Sequence, residues 1–408
     1  MKTKVLVCYN YLATEKQFLE QLSVELNKDI FEIQLLDLSN FKNSKPFSEV
    51  INTEKNGINQ ILRKILKLVG GRFVSDFIST RTYLNKLYLE ISMLAPDLIL
   101  LGCDNTYKSN FVVSISSKLK IKTIVFPFSM CNQEEVLYAV SELGYNLELK
   151  NKLPLFFRNL FFNKWIRNKG NRSYLFPSSP HFLIQTLLRI SPRDPWVICG
   201  GNSDFVFVNS EFERDYYVKS GVPSSKIRIY ALDESENASV IPNLFVWSVP
   251  PDHINSGMFD SYDQMIEFHL DLFSLLEIDV QISLHPRIPT DYFLRFKLSK
   301  RIHVSNEPIH TLLKRCEYFI ASQSATIRFA LRENKHVINF CIYGLPYTEY
   351  SGLSMVSEVN TIDQFSEIMT LAKGKRLSQN DQNLENHSYY KSSGKNLNEM
   401  LLSVVDKK

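Results

Sequence analysis

The chain has 408 residues and a mass of 47.4 kDa, too long for one ordinary domain and suited to two of about 150–200 residues each. It is 44% hydrophobic, 12% aromatic and 22% charged, with 14 Gly and 16 Pro, which excludes general disorder and collagen-like or low-complexity architecture. The formal net charge of +4 is near balance, so bulk charge does not suggest a nucleic-acid protein, and no apolar run is long enough for a clear membrane-spanning helix.

Lys2, Lys4 and the apolar run Val5–Tyr9 imitate a signal peptide. The run is short and no small-residue cleavage site follows, so a first strand of a cytoplasmic protein is expected. The pattern then predicts a helix over Glu15–Leu26, a strand over Phe31–Leu36, helices over Ile58–Leu68 and Leu84–Leu94, and a strand over Leu98–Leu101. A helix over Ser109–Leu119, a strand over Thr123–Phe128, a strand over Phe205–Val208, a helix over Glu211–Ser220 and a strand over Lys226–Leu232 follow. The second half repeats the alternation: strand Asn243–Val249, helix Tyr262–Leu275, strand Asp279–Leu284, helix Asp291–Leu298, strand Ile302–Val304, helix Ile309–Arg315, strand Tyr318–Ala321, helix Ala325–Glu333 and strand His336–Phe340. Ile362–Lys373 and Lys395–Val405 read as closing helices. Alternating strands and helices imply parallel sheets covered on both faces. The polar segment Asp233–Pro242 is the expected linker. The fold class is therefore α/β, with two Rossmann-like doubly wound domains facing a cleft, at 1–232 and 243–408.

From 149 to 193 there is no Asp or Glu, but there are nine bases: Lys150, Lys152, Arg158, Lys164, Arg167, Lys169, Arg172, Arg189 and Arg193. Without them the rest of the chain is net acidic. Aromatic residues are interleaved, and Phe157, Phe161 and Trp165 have helical spacing within Leu153–Ile166. Basic residues beside exposed aromatics suit the headgroup level of an anionic membrane; a core helix with a basic solvated face explains the same pattern. Single-stranded nucleic acid also favours bases with aromatics, but no nucleic-acid-binding module is present, and no nucleic-acid partner is expected. The six cysteines form no CxxC pair, so reduced buried thiols are expected rather than disulfides or a zinc site.

The most informative stretch is Gln281-Ile-Ser-Leu-His285-Pro286-Arg287, followed by Phe319-Ile-Ala-Ser322-Gln-Ser324-Ala-Thr326-Ile-Arg328. His285 closes a predicted strand, where ligands of such sheets bind, and Pro286 fixes the turn. Ser322 and Ser324 precede a predicted helix whose N-terminal N–H groups and dipole suit a phosphate. A histidine donating to the same phosphate would stabilise the charge that builds as a glycosidic bond breaks. Separately, a strand-end histidine and a serine N-cap are ordinary structural features; their order and spacing point to a phosphate site. His253, after Pro250-Pro251, faces the same edge or is a plain loop histidine. Arg287 and Arg328 could neutralise phosphate, although Arg328 falls one helical turn in and suits a solvated position as well.

These motifs resemble the two-domain GT-B superfamily of sugar-nucleotide glycosyltransferases and the related UDP-N-acetylglucosamine 2-epimerases. From Asn243 to Phe340 the pattern is similar to bacterial surface-polysaccharide enzymes with a His-Pro motif and a later Ser/Thr pair: capsular sialyl- and Kdo-transferases with CMP-sugar donors, and CDP-glycerol polymerases. The resemblance implies that His285, Ser322 and Ser324 contact the donor phosphate. It puts His253, Pro286, Arg287 and Thr326 in the same donor-binding set, and Glu349 and Tyr350 where ribose or sugar is held. The GT-B scheme needs no metal and no cofactor, and the sequence shows no Asp-x-Asp, dinucleotide fingerprint, P-loop or nucleophile elbow.

Ala95-Pro-Asp-Leu-Ile-Leu-Leu-Gly-Cys-Asp104-Asn-Thr resembles the epimerase strand ending in Gly-Asp-Thr, whose aspartate is catalytic. Asn209-Ser-Glu-Phe-Glu with Ser220-Gly-Val-Pro-Ser-Ser-Lys226-Ile resembles a segment of both branches. The epimerase His-x-Glu-x-Gly is absent, replaced by Phe126-Pro-Phe-Ser-Met130, and the acidic Gly-Gly turn is replaced by Ser322-Gln-Ser324. A transferase with a divergent acceptor domain fits better. Its base would be Asp104, then Glu134 or Glu135, then Asp233 or Glu234; for Asp104 a helix N-cap or Asx turn is the structural alternative. The expected catalytic set is Asp104, Glu134 and His285. The expected function is transfer from a CMP- or UDP-sugar to a growing bacterial surface glycan or lipid-linked glycan, in the cytoplasm or peripherally at the inner membrane face. The alternatives are a UDP-sugar epimerase and a non-catalytic nucleotide-sugar-binding protein.

Overall fold

The computed structural model describes residues 2–10, 13–39, 71–128, 130, 133–142, 163–170, 172–176, 181–231, 239–249, 258–283, 294–297, 299–341, 348–374, 389–390 and 394–405. The chain divides into two compact units. One is Met1–Phe207 with Tyr217–Arg228 and Asn398–Lys408; the other is Val208–Tyr216 with Ile229–Leu397.

The first half runs β1 (Thr3–Tyr9), α1 (Ala13–Val24), β2 (Phe31–Asp37), α2 (Gly71–Leu94), β3 (Leu98–Leu101), α3 (Tyr107–Leu119), β4 (Lys122–Val125) and α4 (Gln133–Glu142). After a 3₁₀ turn at Asn163–Trp165 come β5 (Ile166–Lys169), β6 (Arg172–Leu175), α5 (His181–Leu187), β7 (Phe205–Val208), α6 (Glu211–Lys219) and β8 (Ile227–Ala231). The second half runs β9 (Phe245–Trp247), α7 (Tyr262–Leu275), β10 (Val280–Ser283), β11 (Ile302–Ser305), α8 (Ile309–Arg315), β12 (Tyr318–Ala321), α9 (Ile327–Arg332), β13 (His336–Phe340), β14 (Val356–Val359), α10 (Ile362–Lys373), β15 (Lys395–Asn396) and α11 (Leu397–Val404).

Two sheets result. The seven-stranded sheet has the order β15-β8-β7-β4-β3-β1-β2, and the six-stranded sheet β11-β10-β9-β12-β13-β14. The ladders joining β1 to β2 and β3, β3 to β4, β4 to β7 and β8 to β15 are parallel, as are all five of the second sheet. Parallel strands buried on both faces need continuous apolar runs. Leu98–Leu101 and Tyr318–Ala321 meet this, with every residue buried.

Alternate residues of the second sheet feed one core. Phe245 and Trp247, Val280 and Ile282, Tyr318 and Ile320, and Ile338 and Phe340 meet Ile266 and Phe273 of α7 and Phe365 and Met369 of α10. The intervening Val246, Phe319 and Val337 are also fully buried, so the sheet is covered on its other face. Helix starts are set locally: Ser261 and Thr361 accept hydrogen bonds from Gln264 N and Gln364 N at the heads of α7 and α10.

The order of strands creates a switch point in each sheet. From β1 the chain adds β2 on one side and β3 on the other; from β9 it adds β10 on one side and β12 on the other. The crevices outside the carboxyl ends of these pairs are where open α/β sheets bind ligands.

Several expectations are corrected. Helical spacing was expected to continue to Ile166, but the chain makes a 3₁₀ turn and enters a hairpin, because Trp165 and Tyr174 turn inward to pack. Lys395 and Asn396 form a strand rather than a helix start, pairing with Tyr230 and Ala231. Gly394 permits that approach, since a Cβ there would fall 2.0 Å from the Ile229 carbonyl oxygen. The helix expected from Ala325 begins at Ile327. Ile58–Leu68 lies outside the described residues.

Candidate functional site

The β9/β12 switch point lies at Ser322. β12 ends at Ala321, and Ser322-Gln323-Ser324 turns the chain toward α9. Gln323 adopts a left-handed backbone with φ 45°, unusual for a residue with a side chain. Asn339, 1% exposed on neighbouring β13, holds it there by accepting the Gln323 N–H at 2.8 Å. Ser324 is committed within the turn: its Oγ lies 2.7 Å from Thr326 Oγ1 and accepts the Thr326 N–H, and its carbonyl accepts the Ile327 N–H. Ser322 is not committed. Its Oγ is buried and finds no hydrogen-bond partner among the described residues. A buried hydroxyl in that condition costs stability unless a ligand completes it.

Arg328, one turn into α9, is buried rather than solvated. Its Nε lies 3.7 Å from Glu213 Oε1, with side-chain exposures of 2% and 4%. Glu213 also closes a capping box at the head of α6: its Oε2 accepts the Asn209 N–H at 2.9 Å, while Ser210 Oγ accepts the Glu213 N–H. Arg328 is thus neutralised internally. Glu349 lies in the turn before Tyr350, which is buried and stacks on Phe212 with ring centroids 6.2 Å apart. Burial, then the charges of Glu358 and Glu349, push the Cys341 thiol at the end of β13 up to about 12. His253, His285, Pro286 and Arg287 lie outside the described residues, as do Asp233 and Glu234.

Asp104 follows β3 but does not face an open crevice. It is 0% exposed. Its Oδ1 accepts the Gly200 N–H at 2.9 Å, and its Oδ2 accepts those of Asn202 at 2.8 Å and Ser203 at 2.7 Å. Asn202 Nδ2 also donates to the Asp104 carbonyl. Burial raises the Asp104 pKa, and these amide donors oppose that rise. The neighbouring Asn105 and Asn110 donate to the carbonyls of Pro195 and Ile190. The corner after β3 therefore fastens the loop from Ile190 to Ser203. Both oxygens of Asp104, the first expected base, are occupied by amide donors, which is the environment of a structural anchor. Asp104 is not the N-cap of α3: that place belongs to Thr106, whose side chain accepts from Ser109 N. Glu134 lies exposed in the first turn of α4, and Glu135 beside it is buried.

The β1/β3 switch point holds a carboxyl group that the sequence reading missed. Glu15, in the first turn of α1, is 0% exposed. Its Oε2 accepts the Asn10 N–H at 2.9 Å, and its Oε1 lies 3.9 Å from Cys103 Sγ. Oε1 also sits against bare Gly102, where a Cβ would come within 2.9 Å of it. Burial, only partly offset by Asn10 and Cys103, raises Glu15 to about 7. Burial and Glu15 together push the Cys103 thiol up to about 12. As at Asn209–Glu213, a buried glutamate accepts the N–H of an asparagine at a strand end, but Glu213 meets a guanidinium and Glu15 meets a thiol. The only sequence signal was a glutamate soon after a buried strand, a feature common to many helix starts. No group of three or more His, Cys, Asp or Glu able to hold a metal occurs among the described residues.

No family model matches the chain, and no curated protein matches it. Solved structures do. The glycotransferase of kitacinnamycin aligns over 96% of this chain and 97% of its own, with a TM-score of 0.51 and 11% identity. The spinosyn forosaminyltransferase SpnP aligns over 100% of each chain with a TM-score of 0.52 and 10% identity. UDP-GlcNAc 2-epimerase from Neisseria meningitidis, solved with UDP-GlcNAc, covers 98% of this chain and 99% of its own at 12% identity and a TM-score of 0.48. The first two likenesses define the fold: the chain has the Rossmann-like α/β architecture of GT-B proteins.

Proposed function

We propose that the chain is a GT-B glycosyltransferase that moves a sugar from a nucleotide-activated donor, a CMP- or UDP-sugar, to a growing bacterial surface glycan or lipid-linked glycan. Residues 1–232 form the acceptor domain and 243–408 the donor domain in this reading. The observation that carries it is Ser322. Its buried hydroxyl stands at the β9/β12 switch point without a partner among the described residues, on a turn held in a left-handed conformation by Asn339. A donor phosphate oxygen completes that hydroxyl. Ser324 and Thr326 shape the turn, while His285, Arg287 and His253 supply donors to the same phosphate and Pro286 fixes the turn that carries them. Glu349 binds the ribose or sugar. As the bond from the anomeric carbon to the phosphate oxygen breaks, these groups stabilise the charge on the leaving nucleotide.

The acceptor hydroxyl attacks the anomeric carbon and gives its proton to a carboxylate. Asp104 and Glu134 are the expected bases: Glu134 is exposed in the first turn of α4, and Asp104 would have to leave its amide donors to take the proton. A peripheral seat at the inner membrane face would present a lipid-linked acceptor.

Thermal shift against CMP, CDP, UDP and GDP tests the donor site, since a ligand that binds only the folded state raises stability by RT ln(1 + [L]/Kd). The expected outcome is selective stabilisation by one pyrimidine nucleotide, weakened about tenfold in affinity, or about 1.4 kcal/mol, by Ser322→Ala. No shift with any of the four would overturn the donor site. Turnover of a UDP-sugar without acceptor would replace the transferase by an isomerase.

A further inference from the structure

In the described part of the acid-free span most bases lie outside, while Trp165 and Tyr174 lie inside. Trp165 is 0% exposed and Tyr174 5%, and Tyr174 packs with Trp196, Val136 and Val140. Of the bases in the described part, Lys164, Lys169, Arg172, Arg189 and Arg193 are exposed, and Arg167 alone has an acidic partner, Asp194 at 3.3 Å. The strands β5 and β6 pair so that Lys169 stands directly opposite Arg172 at the end of the ladder. Like charges placed opposite each other destabilise a hairpin. Among the described residues neither cation has an ion pair to offset this. The tip projects: a Cβ at Gly170, where φ is +58°, would meet nothing within 4 Å. The stem is braced, with Lys169 Nζ 4.8 Å from the Tyr138 ring centroid and 3.3 Å from Ser141 Oγ on α4.

We propose that the β5–β6 hairpin is a docking tip for an anionic bilayer, gripping lipid phosphates with Lys169 and Arg172 by charge alone and inserting no tryptophan. An anion between the two cations removes their repulsion, and a planar anionic surface reaches a projecting tip. This deepens the peripheral seat proposed above and rests on that reading for its biological meaning; the contact itself does not depend on the chemistry of transfer. It also replaces, for this part of the span, the expectation of basic residues beside exposed aromatics. The aromatics here form the core that holds the bases outward.

Cosedimentation of the full chain with vesicles tests this. Binding is expected to vesicles of phosphatidylcholine with phosphatidylglycerol and to be lost with phosphatidylcholine alone or at high salt. Each base near the surface contributes about fivefold, so Lys169→Ala with Arg172→Ala should weaken partitioning about 25-fold. All three tryptophans, at 165, 196 and 247, are at most 1% exposed, so the fluorescence maximum should not move on binding. Equal binding by the double variant, or binding that survives high salt with a blue shift, would overturn the proposal. Inorganic phosphate at matched ionic strength should not displace the protein; displacement would mean a site for a single phosphate and no bilayer contact. The double variant should retain its nucleotide thermal shift, so loss of the donor site and loss of the docking tip are read separately.

Discussion

Asp104 gives the sharpest separation between scaffold and chemistry. Replacing it with Ala removes the acceptor for three amide groups, those of Gly200, Asn202 and Ser203, all within 2.9 Å. A buried donor left without a partner costs about 1–3 kcal/mol. Water can enter the space of a deleted carboxylate, so the low end applies to each, giving a loss of about 3 kcal/mol. Asp104→Asn is milder. Its one acceptor oxygen can serve Asn202 and Ser203, leaving only Gly200 against an NH₂ group, at a cost of about 1–2 kcal/mol. For a domain of this size about 1 kcal/mol moves Tm by roughly 2–4 °C, so Asp104→Ala should lower the Tm of the first unit by roughly 6–12 °C. Calorimetry measures this, and hydrogen exchange should show the amides of residues 200–203 losing protection before the rest of the sheet. An Asp104→Asn protein with unchanged Tm and unchanged protection, yet turnover reduced a hundredfold or more, would refute the scaffold role and make Asp104 the base.

Glu15 predicts a pH dependence of stability. Its carboxyl is raised from 4.5 to about 7 in the folded chain, so between these values the folded state binds more protons than the unfolded one. Stability is then full below about 4.5, falls as pH rises through 7, and levels off above it; 2.5 units correspond to about 3 kcal/mol. Glu15→Gln should flatten that slope in denaturant titrations, and an unaltered slope would exclude Glu15 as its source. Arg328→Met should destabilise the second unit by about 3–5 kcal/mol, because it leaves the buried Glu213 carboxylate without its cation. Adding Glu213→Gln should recover part of that loss in the same calorimetric assay; no recovery would show that Arg328 acts through packing alone.

Much of the architecture was legible from local rules. Leu98–Leu101, Phe205–Val208, Tyr262–Leu275, Ile309–Arg315, Tyr318–Ala321, His336–Phe340 and Ile362–Lys373 occur with the bounds expected of them. Buried parallel strands demand unbroken apolar runs, and Ser261 and Thr361 mark helix starts through bonds that span three residues. Features made by distant partners were not legible. β14 (Val356–Val359) is amphipathic and short, and is a strand because it pairs with β13. The two residues of β15 are a strand only because β8 lies alongside, against Gly394.

The candidate site divides in the same way. Ser322 and Ser324 stood out in the sequence as hydroxyls between a strand and a helix. Only the structure distinguishes them: Ser324 is consumed by Thr326 in its own turn, whereas Ser322 is buried and open among the described residues. The role of Asp104 was hidden because its donors lie 96–99 residues away. Glu15 was hidden because the property that marks it is burial, which a glutamate does not announce.

The amino-acid sequence by itself determined the alternation of strands and helices, and with it two parallel sheets, because periodicity and capping act over a few residues. Tertiary structure alone decided the strand order, hence the switch points, and which carboxylate is filled and which is left acidic. Those outcomes depend on desolvation and on hydrogen bonds between segments far apart in the chain, and a sum over distant partners leaves no local trace.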